Sequence, residues 1–101
     1  MDNRLELQNK LKTLVGGNAY FQPPASVNLI YPCVIYNLSA GHSMRADDKI
    51  YTYTNRFNLL FIFKYPNMKI IEQVLQEFPM CSVSRVYVVD NLYHYTFDLY
   101  Y

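Results

Sequence analysis

Alternating aromatic runs set among two helical stripes predict an α+β fold. The expected architecture is a single two-layer domain in the order α-β-β-α-β-β. It has a four-stranded, mainly antiparallel sheet, two helices and a protruding β-arm. Three observations carry this reading. Eleven Tyr and six Phe occur in 101 residues without Trp, most of them in IYTYTNRFNLLFIFKY (50–65) and NLYHYTFDLYY (91–101). Aromatic and β-branched residues suit a pleated, half-buried surface. Two other segments repeat apolar residues at helical spacing. The length allows one core, so residues 1–101 form one domain.

Residues 2–15 read as the first helix. Leu7, Leu11, Leu14 and Val15 make one apolar stripe, Asp2 or Asn3 can cap its start, and Gly16-Gly17 stops it. Residues 18–32 have no period and contain Pro23-Pro24 and Tyr31-Pro32, which impose extended backbone. Yet Tyr20, Phe21, Val27, Leu29 and Ile30 are apolar, so this loop lies over the fold or is offered to a partner.

Residues 33–39 read as a strand and 40–48 (AGHSMRADD) as a polar turn or mobile loop. Residues 49–65 are a very long strand, more than about 50 Å at strand rise. Its second half, Phe57 to Phe63, is nearly continuous apolar and reads as central and buried. Its first half is polar and aromatic and reads as part of a two-stranded arm over residues 38–56. Such an arm cannot bury its faces within a monomer.

A second helix is expected from Pro66-Asn67 through Phe78, with Ile70, Ile71, Val74, Leu75 and Phe78 on one face and Pro79 ending it. Residues 82–89 and 92–101 read as a hairpin around Asp90-Asn91, both of which tolerate positive φ. In the last strand Tyr93, Tyr95, Phe97, Leu99 and Tyr101 face one way, and His94, Thr96 and Asp98 the other.

Composition narrows the function classes. The net charge is +1, and nine basic and eight acidic residues are scattered without a run of one sign. Binding driven by phosphate neutralisation needs clustered Lys and Arg. Aromatic strands can stack bases, but here they lack interleaved basic residues, which leaves a small nucleic-acid-binding module as a lesser alternative. No run of about 20 apolar residues predicts a membrane span, and no leader peptide is visible, so a cytosolic protein is expected.

Cys33 and Cys81 stand 48 residues apart in no metal-ligand spacing and read as buried free thiols. His42 falls in the polar loop and His94 on a polar strand face. Asp47 and Asp48 are adjacent, which in extended chain points them apart. No serine lies in a nucleophile elbow, and no phosphate-binding glycine motif occurs. The expectation is a non-enzyme without cofactor or metal.

The chain resembles the small tail terminator, or tail completion, proteins of long-tailed bacteriophages. The motifs that carry this are Asn18-Ala19-Tyr20-Phe21-Gln22-Pro23-Pro24, Tyr31-Pro32-Cys33, Ala46-Asp47-Asp48-Lys49, Asp90-Asn91-Leu92 and Tyr100-Tyr101, spread over most of residues 16–101. Residues 67–77 carry no distinctive part of it.

The resemblance implies a homo-oligomeric ring, usually a hexamer, at the head–tail junction of the virion, assembled in the host cytoplasm. Such a ring caps the tail tube protein, stops its polymerisation and presents a surface to the head connector proteins. Nucleic acid meets it only as the genome passes through the lumen. It implies no catalytic residues. A head completion or stopper subunit is the nearest alternative. The expected interface residues are Arg45, Asp47, Asp48, Lys49, Tyr51, Tyr53 and Arg56. On a monomer these charges are a solvated turn; in a ring they set register against the next subunit.

Overall fold

The computed structural model describes residues 3–46 and 49–101, with side chains described over 4–39 and 56–101. Helix α1 (Asn3–Val15) is followed by β1 (Ala19–Phe21), β2 (Cys33–Ala46) and β3 (Lys49–Phe63). Then come α2 (Lys69–Glu77), β4 (Cys81–Val89) and β5 (Leu92–Tyr100). The strands form one five-stranded sheet in the order β1-β2-β3-β5-β4. Only the β1–β2 pairing is parallel; β2–β3, β3–β5 and β5–β4 are antiparallel.

The α+β class and the two helices are as expected. The four-stranded sheet is corrected to five strands and a mixed pattern. The additional strand, β1, lies in the segment read as an aperiodic loop. Three residues are too few to show a period, and the pairing Tyr20↔Ile35 is non-local. Local pattern carries no trace of such a partner. What fixes β1 is tertiary. Gln8 of α1 donates Nε2–H to the Ala19 carbonyl (3.0 Å) and accepts from the Tyr36 hydroxyl. Val34 N–H donates to the Asn18 carbonyl at 2.9 Å, and Gln22 N–H to that of Tyr36 at 3.0 Å.

Helix α1 ends as its glycines dictate. Gly16 and Gly17 have φ of 72° and 109°, and Gly17 N–H donates to the Lys12 carbonyl at 2.8 Å. This six-to-one bond closes the helix in a Schellman motif. Of the expected caps, Asn3 is the first helical residue and Asp2 lies outside the described residues.

Helix α2 begins at Lys69, later than the expected Pro66-Asn67. Asn67 N–H is taken by the Tyr95 hydroxyl at 2.9 Å. The first turn is then closed by Ile70 N–H to Asn67 and Ile71 N–H to Met68, at 3.2 and 3.3 Å. Phe78 caps the other end in extended backbone (φ −122°, ψ 103°), the conformation that Pro79 imposes on its predecessor.

Both helices lie on one face of the sheet. Leu7, Leu11 and Val15 of α1 and Ile70 and Val74 of α2 pack with Phe78 on Val34, Tyr36, Phe57, Leu59, Phe61, Phe63, Tyr95, Phe97 and Leu99. The odd residues of β5 point into this layer, as their alternation predicts. Aromatic edges order it: Phe61 meets Phe97 at 5.6 Å and 86°, and Phe63 meets Tyr95 at 5.9 Å and 75°. Such edge-to-face pairs are preferred over face-to-face sandwiches. Asp90 and Asn91, at φ 52° and 62°, form the two-residue turn that matches hairpin twist.

Candidate functional site: a two-stranded arm and an open sheet edge

The arm is visible in the register. β1 pairs with β2 only at Val34–Tyr36, and β5 pairs with β3 only from Arg56 to Phe63. Beyond these limits β2 and β3 pair with each other alone, from Gly41↔Asn55 to Ala46↔Lys49. The segment expected as a polar turn or mobile loop is therefore corrected: residues 40–46 continue β2. AGHSMRA has little strand preference of its own. Its pairing with the β-rich IYTYTN overrides that weakness, as sheet context commonly does. Fourteen residues of β2 span about 46 Å at strand rise, and the molecule measures 51 × 28 × 22 Å.

Two register shifts shape the arm, between Leu38 and Ala40 and between Met44 and Arg45. The first leaves Ser39 extra in β2 at the arm's root; the second leaves Tyr51 extra in β3. Bulges bend a strand and raise its local twist, which here re-aims the hairpin relative to the body.

The expected interface residues fall as follows. Arg45 pairs with Ile50, Ala46 with Lys49, and Ser43 with Tyr53, all within the arm; Tyr51 is the bulge residue. Asp47 and Asp48 lie outside the described residues. Arg56 sits at the root, opposite Ala40 on one side and Tyr100 on the other. Its guanidinium lies 3.7 Å from the Asp98 carboxylate, and its Nε is buried without a hydrogen-bond partner. Arg56 thus joins the arm to the body.

The opposite edge of the sheet, β4, escaped the sequence reading. Every residue of β4 from Ser82 to Val89 except Tyr87 is exposed. Val83, Val86, Val88 and Val89 are 40–56% exposed. Their β-branched composition marks a strand but says nothing about which strand is outermost. A register shift between Val83 and Arg85 leaves Ser84 extra. Arg85 N–H donates to Thr96 Oγ1 at 2.8 Å, and the Thr96 hydroxyl donates to the Arg85 carbonyl at 3.3 Å. Arg85 therefore turns its backbone groups toward β5. Alternation sends those of Val86 outward, a row of groups able to accept another strand.

On the sheet face away from the helices, Arg85, Tyr87 and His94 stack. The guanidinium lies 4.8 Å from the Tyr87 ring, and Tyr87 and His94 are parallel within 8° at 4.7 Å. His94 Nδ1 lies 2.9 Å from the Leu92 carbonyl, so that nitrogen carries the proton and donates. At the other end of the sheet Phe78, Pro79, Met80, Leu99, Tyr100 and Tyr101 line an apolar groove of about 430 Å³.

Tyr101 closes the groove edge-on to Phe78 at 5.9 Å, with Lys10 Nζ 5.2 Å from its centroid. Hydrogen bonding to Tyr101 raises the Lys10 ammonium, and burial pushes the Tyr101 phenol up.

Cys33 and Cys81 are free thiols, as expected; Cys33 is buried, whereas Cys81 is only half-buried. Burial pushes both up to about 11, with the Asp98 charge adding to the effect at Cys81. Among the described residues no three His, Cys, Asp or Glu side chains gather to hold a metal ion. No described helix is long and apolar enough to cross a membrane. A comparison with protein-family models finds no match, and no curated protein matches the chain either.

Proposed function

We propose that this chain is a structural subunit that assembles head-to-tail into a closed ring, and that the ring is the tail terminator of a long-tailed bacteriophage. The observation that carries this reading is the two-stranded arm. Six residues of β2, Gly41 to Ala46, and their partners in β3 extend past both β1 and β5. A lone two-stranded hairpin is marginal in water, so an arm of this length finds its stability against a neighbour. An arm at one end and an open edge at β4 are two different faces of one subunit. That is the requirement for a heterologous contact, and a heterologous contact closes into a ring when its rotation permits.

The tail-terminator assignment adds the motif resemblance of residues 16–101 to this geometry. In this reading the homo-oligomer, a hexamer, sits at the head–tail junction of the virion after assembly in the host cytoplasm. One rim meets the tail tube protein and the other the head connector proteins, with the genome passing through the lumen. The subunit has no catalytic role.

The test is light-scattering mass of the purified protein, alone and with tail tubes. The proposal expects a mass several-fold above 12.0 kDa in at least one condition. It also expects tubes that no longer elongate once the protein is added. A 12.0 kDa species that leaves tube growth untouched refutes it.

A further inference from the structure

We propose that β4 is the acceptor for the arm of a second copy, with the arm half of β3 added antiparallel to the β4 edge. The inference rests on the head-to-tail reading above and specifies its contact. Three features lead to it. First, β4 is an edge strand of nine residues whose Val86 turns its N–H and C=O outward, with valines exposed along its length. An unpaired edge of this kind offers a row of backbone donors and acceptors with which an extended segment can pair.

Second, the chain itself carries the matching element. Among the described residues, Lys49–Asn55 of β3 pair with β2 on one side only. Their sequence, KIYTYTN, is rich in the residues that pair well across strands. Seven residues span about 23 Å, within the roughly 30 Å of β4.

Third, charge selects the direction and register. Setting Tyr53 opposite Val86 in the antiparallel sense brings Lys49 to the Asp90 end of β4 and Thr54 to Arg85. The parallel sense carries Lys49 away from Asp90 and toward the uncharged start of β4. In the antiparallel register an aromatic faces a β-branched residue, a favoured cross-strand pair, and the one cation in Lys49–Asn55 meets the acidic turn.

Disulfide trapping tests it with the full chain. Tyr53→Cys and Val86→Cys are made separately in a Cys81→Ser background; Cys33 is buried. Paired residues bring their Cβ atoms close enough for a disulfide. The mixture of the two variants is expected to give a cross-linked dimer under mild oxidation. Neither variant alone should, and the doubly substituted chain should give a ladder ending at the ring number. Val83→Cys mixed with Tyr53→Cys should cross-link at least ten-fold less.

Val86→Pro supplies a second readout. It removes an outward N–H while sparing the β5 ladder, so the subunit should melt normally and lose its rings. If Val86→Pro fails to fold, the cross-linking alone decides. Rings that form without the Tyr53–Val86 cross-link, or that survive in a folded Val86→Pro, overturn this contact and leave the ring reading standing. A protein that stays monomeric with and without tail tubes overturns both.

Discussion

Replacing residues 39–56 by Thr-Asn-Gly-Thr should abolish assembly while leaving the body folded. The cut falls where the structure permits it. Leu38 and Phe57 are opposite in the β2–β3 ladder but not hydrogen-bonded to each other, because Leu38 N–H donates to Gln22 Oε1. A Thr pair placed next to them is the hydrogen-bonded pair that closes the two-residue Asn-Gly turn. Every residue of the described core lies at or before Tyr36 or from Phe57 onward.

Two local contributions are lost. One is the half-exposed Arg56–Asp98 pair, worth about 0–1 kcal/mol at the surface. The other is the Arg56↔Tyr100 cross-strand position, a non-hydrogen-bonded pair because Tyr100 N–H donates to the Met80 carbonyl, worth about 0.2–1 kcal/mol. Against them, shortening the connection from eighteen residues to four recovers about 1.3 kcal/mol of loop-closure entropy, from (3/2)RT ln 4.5. The balance lies within about 1 kcal/mol of zero, which shifts the melting temperature by roughly 4–8 °C at most.

The assays are thermal melting by circular dichroism and mass by light scattering. The expected result is a cooperative melt near that of the intact chain and a monomer under every condition. Loss of the cooperative melt would show that the arm is part of the folding unit. A shortened protein that still forms rings would refute the arm as the assembly element.

Three further outcomes are expected. Tyr36→Phe removes the hydroxyl that Gln8 accepts, inside the α1–β1–β2 junction, and should cost about 1–2 kcal/mol in denaturant melts; an unchanged midpoint would show that Gln8 re-pairs freely. Burial raises the Cys33 thiol to about 11 from an ordinary value of 9.0. Below pH 9 the thiol is neutral whether folded or unfolded. Between pH 9 and 11 it ionises only in the unfolded chain, so stability should fall as pH rises through that window, and less steeply in Cys33→Ala. Equal slopes would remove Cys33 as a contributor. Reversing Asp47 and Asp48 together to Lys should leave melting unchanged and impair ring formation; normal rings would make these carboxylates surface decoration, and failure to fold would place them in the core.

The sequence by itself determined the elements whose cause is local. Leu7, Leu11 and Val15 recur at helical spacing, so α1 and its buried face were legible. Gly16-Gly17 and Asp90-Asn91 accept positive φ, so the helix stop and the hairpin turn were legible too. The alternation of Tyr95, Phe97 and Leu99 assigned the buried face of β5, and the change of character at Phe57 marked where β3 leaves the body.

What only the tertiary structure decided are the pairings between distant residues. Ala19–Phe21 became a strand because Gln8 and β2 supply partners for its backbone. AGHSMRA became a strand because IYTYTN lies beside it. Asn67, just before α2, gives its N–H to the hydroxyl of Tyr95, far away in sequence. The place of β4 at the open edge also required the sheet order, since Val83, Val86 and Val88 read the same on an edge as at the centre. Propensity and period act within a few residues, whereas strand order and edge exposure are set by contacts across the chain.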